Sequence, residues 1–185
     1  MQRLFVAIDL PETVQQRLAD ICFGVPGARW VQTEQLHLTL RFIGEVDGAV
    51  FREIREALTQ ITLPPFTIRL KGLGCFPPRK KPRVLWIGIE PSQPLIQLRN
   101  RIESTLVRTG LEPEHRKFAP HITIARLKET PGNRLANFLA GNGLFSTEPL
   151  PVETFQLYSS SLSSKGAIHS IEASYPLTGS IVTTA

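Results

Sequence analysis

Two histidines of this 185-residue chain stand in the same four-residue pattern, in which a histidine and a threonine alternate with aliphatic residues. The pattern occurs at residues 37–40 (His-Leu-Thr-Leu) and again at residues 121–124 (His-Ile-Thr-Ile). Successive side chains of a β-strand point to opposite faces. Each motif would therefore anchor itself in a core through its aliphatic pair and present an imidazole and a hydroxyl on the other face.

This pair of motifs suits the hydrolysis of a phosphodiester without a metal ion. One group must deprotonate water and another must protonate the leaving oxygen, and two imidazoles with ordinary pKa values of about 6.5 can fill both roles near neutral pH. His37 and His121 are the candidates for these roles. The hydroxyls of Thr39 and Thr123 would donate to the non-bridging phosphate oxygens, where negative charge accumulates.

The elements that must position the motifs occur twice in the same order. Hydrophobic periodicity and Gly or Pro breaks predict helices over residues 11–22, 48–60, 93–109 and 133–140. Apolar or alternating runs predict strands over residues 4–8, 36–42, 66–70, 84–89, 121–124, 155–158 and 167–177. We infer an internal duplication within one domain, residues 1–185, with repeat halves of about 1–80 and 81–185. Packing about a pseudo-two-fold axis would place the motif strands side by side or face to face.

Composition indicates an ordinary globular protein with a preference for anionic partners. Lys and Arg number 21 against 16 Asp and Glu, which gives a net charge of +5. The cysteines Cys22 and Cys75 are too few for a disulfide framework, and we expect a reducing cytoplasm. The apolar start is closed by Asp9 and Pro11, so it is too short for a signal sequence or a membrane span.

Other features of the chain are given structural interpretations. No pair of the four histidines has the helical spacing of a zinc motif, so we predict no metal. His115 is expected in an exposed loop, and His169 is expected either to line the cleft or, as we favour, to be incidental to the site. Trp86 is assigned to the core and Trp30 to loop packing, whereas Tyr158 is a candidate for the lining of the cleft.

Two rival functions remain to be weighed. The chain has neither a phosphate-binding P-loop nor the lysine motif of ATP-dependent ligases, so no cofactor or obligatory ATP is expected. The basic segment at residues 79–83 would suit a nucleic-acid-binding module without catalysis, and it would equally suit a solvated loop. Loss of turnover with retained RNA affinity in a histidine variant would separate an enzyme from a binding module.

The sequence blocks around the motifs resemble the 2H phosphoesterase superfamily, and within it the bacterial LigT-like branch. The blocks lie at residues 3–11, 37–46, 120–126 and 157–160, so the resemblance covers essentially the whole chain. It implies an α+β, bilobal fold in which two mainly antiparallel sheets form a central cleft flanked by outer helices. It also implies an RNA 2′,3′-cyclic phosphodiesterase that leaves a 2′-phosphomonoester, with reversible 2′-5′ RNA ligation or a small cyclic nucleotide substrate as alternatives.

The resemblance further implies roles for individual residues. His37 would be the acid on the 3′ leaving oxygen and His121 the base on water, although the residues alone leave the two histidines interchangeable. Arg126 would add a cation at the phosphate, and Phe42 stands where the family places an aromatic side chain near the nucleotide. The expected partner is RNA with a cyclic phosphate end or a related nucleotide, bound by a monomer that needs no protein partner and no membrane.

Overall fold

The computed structural model describes residues 1–179 as an α+β protein with four helices and ten strands. The helices are α1 Glu12–Ile21, α2 Gly48–Ala57, α3 Gln93–Arg108 and α4 Gly132–Gly141. The strands are β1 Gln2–Asp9, β2 Ala28–Trp30, β3 His37–Val46, β4 Phe66–Ile68, β5 Leu70–Phe76, β6 Val84–Ile89, β7 His121–Leu127, β8 Leu150–Val152, β9 Thr154–Ser163 and β10 Gly166–Pro176.

The four predicted helices are confirmed, and α2 ends in a 3₁₀ turn over Leu58–Gln60 that completes the predicted segment. The strands β2, β5 and β8 were not predicted. The segment of β5 contains Gly72 and Gly74, which are typical of loops, so its sequence does not indicate a strand. Gly74 is required there because a Cβ atom at this position would overlap the indole ring of Trp86 on β6.

Two four-stranded antiparallel sheets organise the molecule. The first, called here the His37 sheet, has the order β10-β9-β1-β3, and the second, the His121 sheet, has the order β2-β7-β6-β5. Each sheet combines two strands from each half of the chain: β9 and β10 join β1 and β3, whereas β2 and β5 join β6 and β7. The sheets meet through their motif strands, because β3 and β7 approach to within 8 Å between Cα atoms. The predicted α+β architecture with two antiparallel sheets is confirmed.

One aliphatic core joins both sheets and the helices. Amphipathic spacing buries Leu98 and Ile102 of α3 completely, and Leu18 of α1 is equally buried. Burial of each such side chain stabilises the fold by about 1.5–3 kcal/mol. Leu38 of β3 and Ile122 of β7 enter the same core with no exposed surface. The two motif strands are therefore held from the same side.

A buried ion pair fastens β3 to α3 and to the segment that leads into β7. Arg41 is 9 % exposed, and its Nε lies 2.5 Å from the carboxylate of Glu103. The same guanidinium donates to the carbonyl of Glu112 at 2.6 Å, and Glu103 accepts from the backbone N–H of Glu114 at 2.7 Å. These bonds satisfy charges that would otherwise be costly to bury.

Candidate active site

The two motifs occupy the start of β3 and the start of β7, as alternation along a strand requires. Their aliphatic positions are buried, whereas His37, Thr39, His121 and Thr123 all keep partial exposure. Because both aliphatic pairs enter one core and the two strands contact each other, the polar pairs lie on the same open side of the molecule. The sheets thus bring the predicted catalytic and phosphate-binding groups to one surface.

A β-bulge in each motif strand adds one further side chain to that surface. Strict alternation would put Phe42 and Arg126, five positions after their histidines, on the buried face. In β3, however, Ala7 pairs with Thr39 while Val6 pairs with Arg41, so one residue of β3 is left over. The pairing of β6 with β7 has the same register shift between Leu85 and Trp86, so one residue of β7 is also left over. The extra residue restores Phe42 and Arg126 to the histidine face, where both are exposed.

His37 belongs to a cluster of rings packed around Phe5 of β1. The Phe5 ring is stacked on His37 at 5.0 Å between centroids and on Tyr158 at 5.1 Å. It also meets His169 edge-on at 4.9 Å and Phe42 at 6.0 Å. Phe5 is 2 % exposed and lies outside the aliphatic core, so it forms the floor beneath His37. The apolar run at the start of the chain gave no indication of this role.

His169 lies beside His37, which corrects the expectation that it is incidental. The two rings meet edge to face with centroids 5.4 Å apart. The hairpin β9–β10 carries His169, and Gln35 holds this hairpin by donating from its side-chain amide to the carbonyl of Ala167 at 2.6 Å. Sequence alone could not place His169, because the contact depends on pairing between distant strands.

Tyr158 lines the His37 side of the site, with its ring centroid 5.9 Å from that of His37. Its hydroxyl donates to the carboxylate of Asp9, the residue that pairs with His37 across β1 and β3. Burial and the Asp9 carboxylate together raise the pKa of Tyr158, so the phenol stays protonated.

The surroundings of His37 favour its neutral form. Burial lowers the pKa of His37 from 6.5 to about 4, and the charge of His169 adds to the decrease, while a hydrogen bond to the backbone of Gln35 opposes it. Burial also lowers the pKa of His169. Two imidazoles this close disfavour a second positive charge.

His121 has its own aromatic support on the other sheet. Phe76 of β5 meets it edge-on at 5.1 Å, and Trp86 of β6 lies 6.4 Å away. Trp86 is therefore half-buried beside the site rather than in the core, which corrects its assignment. The Nδ1 atom of His121 lies 2.7 Å from the carbonyl oxygen of Ala119. Since a carbonyl can only accept, Nδ1 carries the proton and Nε2 is the free nitrogen of the neutral ring.

His115 and Trp30 lie outside these two clusters. His115 is exposed in the loop before β7, as predicted. Trp30 packs on Phe138 of α4 with centroids 5.9 Å apart, so its packing role is confirmed, but it lies on β2 rather than in a loop. Across residues 1–179, no three His, Cys, Asp or Glu side chains come together as a metal site would require. None of the helices in that range has both the length and the apolar composition to cross a membrane.

Comparison with known proteins tests the predicted relationship. The sequence profile of LigT-like phosphoesterases matches the chain twice, over residues 8–86 and 87–169. The chain belongs to the LigT-like phosphoesterase family. The predicted family is thereby confirmed. Two relatives, each named RNA 2′,3′-cyclic phosphodiesterase, come from Thermotoga maritima and Archaeoglobus fulgidus. They are 36 % and 34 % identical, and the matches cover 91 % and 90 % of this chain and 92 % and 96 % of theirs.

Solved structures of this LigT-like family share the fold. The crystal structure of Escherichia coli LigT complexed with 3′-AMP aligns with a TM-score of 0.76 and 31 % identity, over 96 % of this chain and 99 % of that one. The phosphodiesterase domain of the MHV ns2 protein is similar in fold alone, with a TM-score of 0.57 and 13 % identity over 85 % of this chain and 99 % of that domain.

Proposed function

We propose that the protein hydrolyses the 2′,3′-cyclic phosphate ends of RNA to 2′-phosphomonoesters, with His37 and His121 as the acid–base pair. The observation that carries the proposal is the pair of motif strands, which contact each other and present both histidines and both threonines on one side. The relatives named RNA 2′,3′-cyclic phosphodiesterase support the same substrate class.

In this mechanism the phosphate is held before it is attacked. Thr39 and Thr123 donate their hydroxyl protons to the non-bridging oxygens, and the exposed guanidinium of Arg126 adds a positive charge at the edge of the same surface. The rings of Phe5 and Phe76 fix the two histidines from behind. Positioning of this kind reduces the entropy that the reaction must lose on reaching its transition state.

The chemical step then moves two protons. A water oxygen forms a bond to phosphorus as His121 removes its proton through the free Nε2. The bond between phosphorus and the 3′ oxygen breaks, and His37 gives that oxygen a proton. The product carries a 2′-phosphate and a 3′-hydroxyl, and proton exchange with solvent restores both rings.

The direction of proton transfer imposes a condition on His37. An acid must hold a proton, yet the low pKa of His37 leaves the ring neutral in the free protein near pH 7. The negative charge of a bound phosphate favours the imidazolium and would supply the missing stabilisation. We therefore propose that His37 takes up its proton together with the substrate, so that the pH dependence of kcat differs from that of kcat/KM.

We further propose that the protein acts as a monomer in the cytoplasm and needs no metal. Both motifs come from one chain, so a second copy is not needed to complete the pair of histidines. Cys22 and Cys75 are both free thiols, which suits a reducing compartment.

The test is turnover of an RNA oligonucleotide that ends in a 2′,3′-cyclic phosphate, measured in excess chelator with identification of the product. The wild-type protein should leave a 2′-phosphate, and His37→Ala and His121→Ala should each lower kcat by about 10²-fold or more. His115→Ala is the matched control, because this histidine is exposed away from the site. A strict metal requirement, a 3′-phosphate product or full activity in either site variant would refute the proposal.

A further inference from the structure

Between β5 and β6 the chain forms a short loop, residues 77–83, that projects four cations into solvent and is called here the basic loop. The backbone N–H of Arg83 donates to the carbonyl of Phe76 at 2.8 Å and closes the loop as a hairpin. Arg79, Lys80, Lys81 and Arg83 are all exposed. Among the salt bridges of residues 1–179, none involves any of these four side chains.

The root of the basic loop lies next to the proposed active site. Phe76, whose ring lies 5.1 Å from His121, pairs with Val84 on β6. Val84 pairs in turn with Arg126 on β7. Neighbouring strands are about 4.8 Å apart, so this row places Arg126 about 10 Å from the point where the loop leaves β5.

The His121 sheet, whose strands β5 and β6 the basic loop connects, carries no acidic residue. Residues 57–89 contain no Asp or Glu, and the same holds for all four strands of the His121 sheet. The His37 sheet instead bears Asp9, Glu45 and Glu172. A polyanion is therefore attracted more strongly to the His121 side of the site than to the other.

The two bulge positions show the same asymmetry at the site itself. Phe42 on the His37 sheet offers an exposed ring face, whereas Arg126 at the equivalent place on the His121 sheet offers a guanidinium. A ring face suits a nucleobase, and a guanidinium suits a phosphate. The terminal nucleotide of a cyclic-ended RNA continues only through its 5′ oxygen, so the rest of the strand must leave the site on one side.

We propose that the basic loop extends the positive charge of Arg126 into one cationic surface, on which Arg126 faces the cyclic phosphate and the loop binds the phosphates of the RNA strand on the 5′ side of the cyclic end. This inference rests on the proposed function and specifies its substrate as an oligonucleotide end rather than a nucleoside cyclic phosphate. The four unpaired cations and the absence of acidic residues distinguish this loop from a charged loop whose cations are neutralised by its neighbours.

The experiment compares two substrates, a ten-nucleotide RNA with a 2′,3′-cyclic phosphate end and adenosine 2′,3′-cyclic phosphate. The test variant is Lys80→Gln with Lys81→Gln, and the matched control is Arg52→Gln with Arg55→Gln, which removes two exposed cations from α2. Lys80→Arg with Lys81→Arg keeps the charge and should restore wild-type behaviour.

The wild-type protein should prefer the oligonucleotide, and the Lys80 and Lys81 double Gln variant should lose on the order of tenfold in kcat/KM for it at 0.1 M salt. The loss for adenosine 2′,3′-cyclic phosphate should be several times smaller. Each phosphate contact removed should also reduce the slope of log affinity against log salt by about 0.7. The control variant should retain the wild-type ratio between the two substrates.

Equal losses on both substrates, no loss on either, or a wild-type protein without preference for the oligonucleotide would overturn the inference. If the wild-type protein opens neither substrate, it is the proposed function that fails. In that case, the binding of the same RNA with a linear 3′-phosphate tests whether the basic loop contacts RNA phosphates. An unchanged salt slope in the Lys80 and Lys81 double Gln variant would refute the inference in that case as well.

Discussion

Replacement of His37 by Gln should change how the stability of the protein depends on pH. The imidazole has a pKa of about 4 in the folded protein and about 6.5 in the unfolded chain. Between these values the unfolded chain binds more protons than the folded protein, so stability falls as the pH falls. The part of the stability that depends on a neutral His37 ring is fully present above pH 6.5 and fully lost below pH 4.

The two pKa values fix the size of the effect. From pH 8 to pH 5 the wild-type protein should lose about 2 kcal/mol relative to His37→Gln, and the limiting loss below pH 4 is about 3 kcal/mol. The lowered pKa values of Glu103 and Glu114 also make acid destabilising, but both carboxylates are present in both proteins. Their contributions therefore cancel in the difference.

The measurement is urea denaturation at pH 8, 6.5 and 5, followed through the fluorescence of Trp30 and Trp86. His115→Gln serves as the matched control, since it makes the same replacement at an exposed histidine in a loop outside the site. A difference between the wild-type protein and His37→Gln that stays constant within about 0.5 kcal/mol from pH 8 to pH 5 would mean that His37 titrates normally. The argument that it takes up its proton with the substrate would then fail.

Three further changes test other parts of the structure. His169→Phe keeps the ring contact with Phe5 but removes a charge, so the pKa of His37 should rise and the NMR titration of its ring should move to higher pH; an unchanged titration would contradict this. Arg41→Met leaves Glu103 buried without its partner and should lower the free energy of unfolding by about 3–5 kcal/mol in urea, whereas a cost below about 1 kcal/mol would show that the pair contributes little. Gly74→Ala should displace Trp86, cost about 1–3 kcal/mol and lower kcat/KM, while Gly132→Ala, whose Cβ meets nothing within 4 Å, should leave kcat/KM unchanged.

Patterns of neighbouring residues in the sequence predicted the helices and the motif strands. The helices follow from apolar spacing, and the motif strands follow from the alternation of polar and aliphatic residues. β5 escaped prediction because Gly72 and Gly74 are typical of loops. Only the neighbouring strand explains Gly74, since the indole of Trp86 lies over it.

The site was predicted only in its polar half. Both histidines and both threonines follow from the motifs. Phe5 and Trp86 lie in continuous apolar runs in which alternation cannot separate site from core, and Phe76 lies in the strand that was not predicted. A simple two-residue alternation also cannot predict the β-bulges. Phe42 and Arg126 were therefore reached through the family resemblance and not through the pattern.

The pairing of β1 with β9 has a consequence for the protein during its synthesis. Asp9 and Tyr158, joined by a hydrogen bond, stand 149 positions apart in the chain. At about 5–20 residues per second, β1 leaves the ribosome many seconds before the strand that covers its second edge exists. During that interval Phe5 and its neighbours have one unpaired edge and an uncovered ring face, which is a surface prone to aggregation. The nascent chain thus depends on its last strands, and a ribosome that stalls before residue 154 leaves the His37 sheet open.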